Sequence, residues 1–465
     1  MLGLSWAQLS CLVAAFGTFS VGTAVVGLPD GVLMTAPLWL GLGAVALVPV
    51  SGRPLIDYTP VGIAFVGRRV VRQDRFRRPV WRTRPAGCLS LPGSRARLRQ
   101  WVDEATGAVL VHDPSRRTLA ATLMVAHGQF MVDSEARQVE RIDGWAALLG
   151  TVGQTKGVCR VQVLVRSSPD AGVGVREHWH QWPDKAAVGS PARASYEELV
   201  RSLGSATDTH RSSITIVLDL KVLDGEIKRA GGGLTGAAAV MRQRMDVVER
   251  NLAGAGLRSM GWIGPDELAL IIRGAYDPAR SVMLERHPEV VGDLADAGPM
   301  AVDAHWGTVR TDSGWHKVVQ VGWPRRRVAP GFLFGMLSLP GVKLAMSHIF
   351  EPVLSDRALR QAAHDASDEE AAYRERRRVG RTETVLHERD REAATEHLTA
   401  LDSGWTDADH VALVVISAPT KEALAESFER VRAAAGQVST RIDTVFGQQD
   451  ELLDAGALPL GLGVR

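Results

Sequence analysis

Apolar positions follow two regimes along this chain. Over residues 1–52 they are almost unbroken, and the only charged side chain is Asp30, inside the turn signal Pro29-Asp30-Gly31. The flanking runs, 4–28 and 32–50, are each long enough for an α-helix to cross a hydrocarbon layer of about 30 Å at roughly 1.5 Å per residue. Helices are expected there, because a segment without water must satisfy its own N–H and C=O groups. Neither run carries the polar face of a surface-packed helix, so the pair reads as a transmembrane hairpin. A secretory signal fits less well: no basic residue leads in, the first run is long for a signal core, and a second follows at once.

From residue 106 the periods become those of a soluble α/β region. Strands are expected at 108–112 and 118–125, joined by Asp113, Pro114 and Ser115. A helix over 133–149, capped by Asp133 or Ser134, carries Val139, Ile142, Ala146 and Leu149 at helical spacing. Strand 158–165, a Pro-, Gly- and Ser-rich loop over 167–194, helix 196–209 and a buried strand at 214–220 follow. Glycines 231–233 open a helix over 235–252; a strand at 257–263 and a helix over 265–273, begun by Pro265, close the unit.

Further on, 301–311 and 314–324 pattern as a hairpin around Asp312-Ser313-Gly314, rich in tryptophan at Trp306, Trp315 and Trp323. The apolar run 332–339 is too short to span and reads as core or an interfacial touch. Segments 355–378 and 383–401 are charged helices broken at Gly380, the first supported by Glu370 four residues before Arg374. Strand 411–416, helix 421–434 and strand 440–446 end the chain as a β-α-β unit of split, ferredoxin-like type. The expected fold class is therefore an N-terminal two-helix transmembrane hairpin followed by cytoplasmic α+β domains (ferredoxin-like, split βαβ). The expected boundaries are 1–52 (hairpin), 53–105 (basic juxtamembrane linker), 106–280 (first domain) and 281–465 (second domain, with the charged helical pair 355–403).

Charge sets the orientation. Arg53, Arg68, Arg69, Arg72, Arg75, Arg77, Arg78, Arg82 and Arg84 follow the second run against Asp57 and Asp74 alone, an excess that stays on the cytoplasmic side of a membrane. The body and both termini are expected inside. This collar, 53–99, interleaves Phe65, Phe76 and Trp81; anionic lipid headgroups are the expected partner, at about 1 kcal/mol per arginine near the surface. Contact with single-stranded nucleic acid is the alternative. Over 465 residues the net charge is only +2, too small for a nucleic-acid-binding chain as a whole. With 45% hydrophobic and 23% charged residues, ordinary globular cores are expected. Cys11, Cys88 and Cys159 are too far apart in sequence for a disulfide framework or zinc knuckle and suit a reducing compartment.

Candidate chemistry is sparse. Gly231-Gly232-Gly233-Leu234-Thr235-Gly236 has the glycine spacing of a phosphate-cradling loop, but Ala237-Ala238 stand where lysine and a hydroxyl residue are needed. His178-Trp179-His180 is a close histidine pair without a placed third metal ligand. His387-Glu388 begins a zinc-protease pattern that fails at Arg391. Asp219 and Asp224 read as turn or surface carboxylates. No catalytic, cofactor or metal residue is expected, and no G-x-S-x-G elbow occurs.

Several stretches resemble an actinobacterial family of membrane proteins encoded with conjugative, type IV secretion-like machinery. They are Tyr196-Glu197-Glu198-Leu199, Ile216-Val217-Leu218-Asp219, the triple glycine with Gly236-Ala237-Ala238, Trp262, and Pro265-Asp266-Glu267-Leu268-Ala269 with Arg273, Tyr276, Asp277 and Pro278. The start, Gly3-Leu4-Ser5-Trp6-Ala7-Gln8, resembles the small PrgI-type inner-membrane subunit. Trp323-Pro324-Arg325, Phe446-Gly447-Gln448-Gln449-Asp450 and Ala457-Leu458-Pro459-Leu460-Gly461 are similar to the amino-terminal, non-catalytic part of the VirB-type motor, whose Walker A core is not in this sequence. The resemblance implies a non-catalytic inner-membrane adaptor that docks a separate motor ATPase and other membrane subunits, with further copies of itself, in a homo-oligomer, as an additional expected partner. Alternatives are a type VII secretion subunit of the EccE kind and a membrane-bound enzyme using His178, His180 or the carboxylates.

Overall fold

The computed structural model describes residues 5–50, 53–79, 85–92, 98–128, 130–169, 179, 190–202, 208–286, 291, 294–324, 328–353, 355–378, 384–402 and 407–464. His178, His180, Trp81, Arg82, Arg84 and Gly380 lie outside these residues.

The two apolar runs form helices α1 (Trp6–Val26) and α2 (Asp30–Leu47), each long and apolar enough to cross a membrane. Only 6% and 11% of their apolar windows are buried within the fold, so they are not core helices of the body. Ser5 starts α1 with a reciprocal capping box to Gln8. The helices meet at small residues: a Cβ on Gly31 would stand 2.1 Å from the Gly22 carbonyl oxygen, and one on Gly22 2.5 Å from Thr35 Oγ1. Such backbone approach is what lets apolar helices associate where burial gains nothing. Phe19 and Trp39 add an edge-to-face contact at 5.6 Å.

The described residues of 53–105 include elements built into the body. Helix α3 (Thr59–Val70) follows α2 closely, and strands β1 (Arg75–Arg77), β2 (Cys88–Leu89) and β3 (Leu98–Val102) join the main sheet.

That sheet has 14 strands among the described residues. Its first half holds β4 (Val109–Asp113), β5 (Thr118–His127), β6 (Val158–Pro169), β7 (Asp208–Asp219) and β8 (Leu257–Trp262). Between them lie α4 (Glu135–Gln154), α5 (Pro191–Ser202), α6 (Asp224–Arg229) and α7 (Gly233–Leu252), and α8 (Pro265–Tyr276) follows. The second half holds β9 (Ala301–Ala304), β10 (Val309–Arg310), β11 (Trp315–Gly322), β12 (Lys343–Pro352), β13 (Ala408–Ala418) and β14 (Arg441–Thr444). Its longer helices are α9 (Ser355–Arg378), α10 (Val385–Asp402), α11 (Lys421–Gln437) and α12 (Gln449–Ala457).

The two halves repeat one arrangement. The first runs β6-β7-β5-β8 and the second β12-β13-β11-β14, with antiparallel neighbours throughout. Taken in chain order, a hairpin strand precedes the first member of each half (β4 before β5, β10 before β11), an excursion separates the second from the third (α5; α9 and α10), and a helix follows the last (α8, α12). The halves join where β6 pairs with β12, from Ser167 opposite Leu344 to Val161 opposite Phe350.

Strand alternation assigns the faces. On one, α4 and α7 bury Leu148, Val152, Met241, Met245 and Val248 against Leu119, Leu123, Ile214, Ile216 and Leu218. On the same face α11 buries Leu424 and Val431 against Val319, Leu344, Val414 and Ile416. The other face carries α8 and α12, with Leu268, Ile272, Tyr276, Leu452 and Leu453 over Val217, Ile349, Leu413 and Val415. The segment 458–462 returns across this face onto the first half: Thr122 donates to the Pro459 carbonyl at 2.7 Å, and Arg160 to that of Gly461 at 2.9 Å.

Several expected boundaries move. The helix expected over 196–209 is Pro191–Ser202, and residues 208–213 belong to β7, because β6 runs on to Pro169 and pairs there with Asp208. The expected first arm 301–311 divides into β9 and β10, which pair with each other. Run 332–339 contains the helical turn Phe334–Leu337, with Met336 in the core.

Candidate functional site

A cavity opens at the seam between the halves. It has a volume of about 820 Å³. The β11–β12 connection holds a single helical turn, Phe334–Leu337, at the position where the first half places the 20-residue α4. Among the described residues the sheet floor at the seam is consequently uncovered on that side. Val161, His348, Phe350 and His410 form the floor, Asp143, Ala146, Ala147 and Gly150 of α4 one wall, and Trp323 the other; His397 and Leu401 of α10 close an end.

Alternation places Leu344, Met346, His348 and Phe350 of β12 on one face, and Phe350 sits opposite His410 of β13. His348 Nε2 and His410 Nδ1 are 3.2 Å apart, one donating to the other. Trp323 lies 5.1 Å from the His348 ring centre and 5.6 Å from that of His410, while His348 and Phe350 rings are 3.9 Å apart. Burial, and secondarily the charge of His410, pushes His348 down to about 3, so this imidazole is neutral at physiological pH. The arrangement can hold an aromatic or apolar group and offer it one imidazole hydrogen bond. A second cavity of about 470 Å³ shares Pro352, His397 and Asp407 with the first and is acidic, with Asp219, Glu351, Asp365 and Asp409. Among the described residues no group of three or more histidine, cysteine or acidic side chains is placed to hold a metal ion.

The residues singled out by sequence fall elsewhere. Glycines 231–233, all with positive φ, form the turn between α6 and α7. A phosphate loop needs a strand leading directly into the helix, and here a helix intervenes. Gly236 has a packing role: a Cβ there would lie 2.5 Å from the Ile227 carbonyl oxygen, so glycine lets α7 touch α6. Trp179 packs against Tyr196 at 4.6 Å under Arg193. His387 lies in the first turn of α10. Asp219 accepts from the Lys221 amide at 2.8 Å as a turn carboxylate and also lines the acidic cavity. A hydrogen bond from Lys228 at 2.7 Å holds the Asp224 carboxyl below its usual range.

The segments that carry the family resemblance mostly serve packing. Gln449 is buried, its amide bonded to both the N–H and the C=O of Val318 at 2.7 and 2.9 Å. Tyr276 donates to Asp454 inside the core. Arg273 pairs with Asp312 at 2.8 Å and Asp277 at 3.2 Å. Trp323 is the exception, since it forms a cavity wall. His348, His410 and Phe350 were not singled out; the signal was a histidine at an apolar step of a period-two run, Leu344-Met346-His348-Phe350.

Comparison with protein-family models and with curated proteins finds no match to this chain.

Proposed function

We propose that this chain is a membrane-anchored, non-catalytic adaptor of a type IV secretion-like or conjugative apparatus, mounting a separate motor ATPase at the inner membrane. The observation that carries the reading is α1 with α2: two apolar helices, scarcely covered by the body, whose contact is made by glycines. Arg68, Arg69, Arg72, Arg75, Arg77 and Arg78 follow directly and support a cytoplasmic body with anionic lipid at the collar. Each half reads as a ferredoxin-like split βαβ unit, a reading supported by the strand order β6-β7-β5-β8 with α4 and α7 on one face, and by β11 lying between β13 and β14. The seam cavity is the proposed contact point for an apolar side chain of the motor. The test is affinity purification of the full-length chain from its native membrane. Recovery of a motor-class ATPase, reduced when Trp323 and Phe350 are both replaced by alanine, supports the proposal. Recovery of the chain alone, or ATP hydrolysis by the pure chain, refutes it.

A second reading rests on the cavity itself, whose volume lies in the range of about 300–1,000 Å³ used for small molecules. In it, the protein is a membrane-bound binder or enzyme for an aromatic metabolite. Saturable quenching of tryptophan fluorescence by a small aromatic ligand, lost in Trp323→Leu, favours this reading over the adaptor.

A further inference from the structure

Helix α3 has two apolar faces, and among the described residues the body covers only one. On the covered face, Phe65 is 7% exposed and meets Trp306 edge-on at 5.4 Å, Trp306 stacks on Phe446, and Val61 closes over Gly447. Arg68 fixes this face by pairing with Asp450 and Glu451, each at 3.3 Å, and by donating to the Gly447 carbonyl. On the other face Ile63, Val66 and Val70 are 74%, 59% and 78% exposed, and Val71 just beyond is 67% exposed. At about 100° per residue, Ile63 and Val70 point the same way, Val66 about 60° to one side, and Phe65 about 160° from Ile63. A helix apolar on opposite sides is expected to be covered on both.

We propose that the exposed face of α3 lies in the headgroup–acyl boundary of the bilayer that α1 and α2 cross, as an interfacial foot holding the body at a fixed height. The inference rests on reading α1 and α2 as spans. Chain continuity supports lipid as the occupant. α2 ends at Leu47, Pro49–Val50 pairs back on Arg53–Pro54, Leu55 donates to the Val48 carbonyl at 3.0 Å, and α3 begins at Thr59. The helix therefore starts at the mouth of a span. Charge agrees: Arg69, Arg72 and Arg75 are exposed around the apolar stripe, while Asp57, ahead of the helix, is the exposed carboxylate nearby. An apolar stripe with arginines beside it is the pattern of helices that lie in, and do not cross, an anionic membrane surface.

The test uses the full-length chain with Cys11, Cys88 and Cys159 replaced by serine and single cysteines introduced by Ile63→Cys, Val66→Cys or Val70→Cys. Each carries a nitroxide label in vesicles of phosphatidylcholine and phosphatidylglycerol, and its accessibility to oxygen and to a nickel chelate is read by power saturation. Val13→Cys in α1 reports on the hairpin and Gln73→Cys on water. The three α3 labels are expected to favour oxygen, at a depth of roughly 5–10 Å, with Gln73 open to nickel. Nickel-accessible α3 labels beside an oxygen-favouring Val13 overturn the foot and leave the hairpin standing. Labels shielded from both reagents also overturn it, because protein then covers the face. A nickel-accessible Val13 overturns the hairpin reading, and the foot with it.

Discussion

Replacing Gln162 with leucine is expected to loosen the seam between the two halves. Gln162 has 0% exposure and its amide is fully engaged: Nε2 is 2.8 Å from Ser347 Oγ and 3.0 Å from the carbonyls of Ala455 and Leu458, and Oε1 accepts from the Gly461 amide at 2.8 Å. This one side chain ties β6 to β12 and holds the returning 458–462 segment on the sheet. Leucine is similar in size, so the loss is mainly polar. A buried group left without its partner costs about 1–3 kcal/mol. With the Gly461 N–H and the Leu458 C=O both stranded, the expected loss is about 2–6 kcal/mol. Ser347→Ala removes only one partner, and about 1 kcal/mol is expected there. At roughly 2 cal/mol/K per residue, a 4 kcal/mol loss in a body of this size lowers the unfolding midpoint by about 5 °C. The assay is thermal unfolding of the detergent-solubilised chain, followed by tryptophan fluorescence, with carboxypeptidase digestion alongside. Gln162→Leu should melt several degrees lower and release residues beyond 458 to digestion, with Ser347→Ala between it and the parent. Coincident midpoints and equal resistance in all three proteins would refute the assignment of the seam to this amide.

Other outcomes follow from single contacts. Gly31→Val should separate α1 from α2, since its Cβ would collide with the Gly22 backbone; loss of cross-linking between cysteines placed on the two helices checks this, and unchanged cross-linking contradicts it. Gly236→Ala should destabilise the body by about 1–3 kcal/mol through overpacking against Ile227, read as a lower denaturation midpoint. Burial, and then the charge of Lys343, keeps His316 at about 3, between Thr311 and Ser417. Below about pH 6.5 the unfolded chain takes up a proton that the native chain refuses, so stability should fall by about 1.4 kcal/mol per pH unit until about pH 3. His316→Asn should reduce that slope in denaturant titrations between pH 6 and 4, and an identical slope would count against it. Burial also pushes the Cys159 thiol up to about 11, so alkylation at pH 8 should be at least about a hundredfold slower than in the unfolded chain, measured by mass spectrometry of the modified peptide.

How far the fold was legible depended on whether one pattern dominated each stretch. α1, α2, β5, β6 and β7 repeat a single signal, and their existence was readable. β12 was not, because both of its faces mix polar and apolar residues: Lys343 and Ser347 on one, His348 on the other. Their partners are distant in sequence, Gln162 and His410 across the sheet for Ser347 and His348, and the Gly274 and Pro278 carbonyls for Lys343, and no local window contains them. α12 was hidden for the same reason, since Gln449, Asp450 and Asp454 are buried through contacts with Val318, Arg68 and Tyr276. The collar reading of arginines interleaved with Phe65 does not separate the two apolar faces of α3, where Val61 and Phe65 oppose Ile63, Val66 and Val70. The seam cavity draws on α4, β12, β13, Trp323 and α10 together, a juxtaposition that only the sheet order creates.

The most direct measurement is flotation of the full-length chain with its membranes through a sucrose gradient after washing in alkaline carbonate and high salt. A body tethered by α1 and α2 rises with the lipid, whereas recovery of the chain in the soluble fraction at the bottom of the gradient would contradict the membrane anchor on which the proposed function rests.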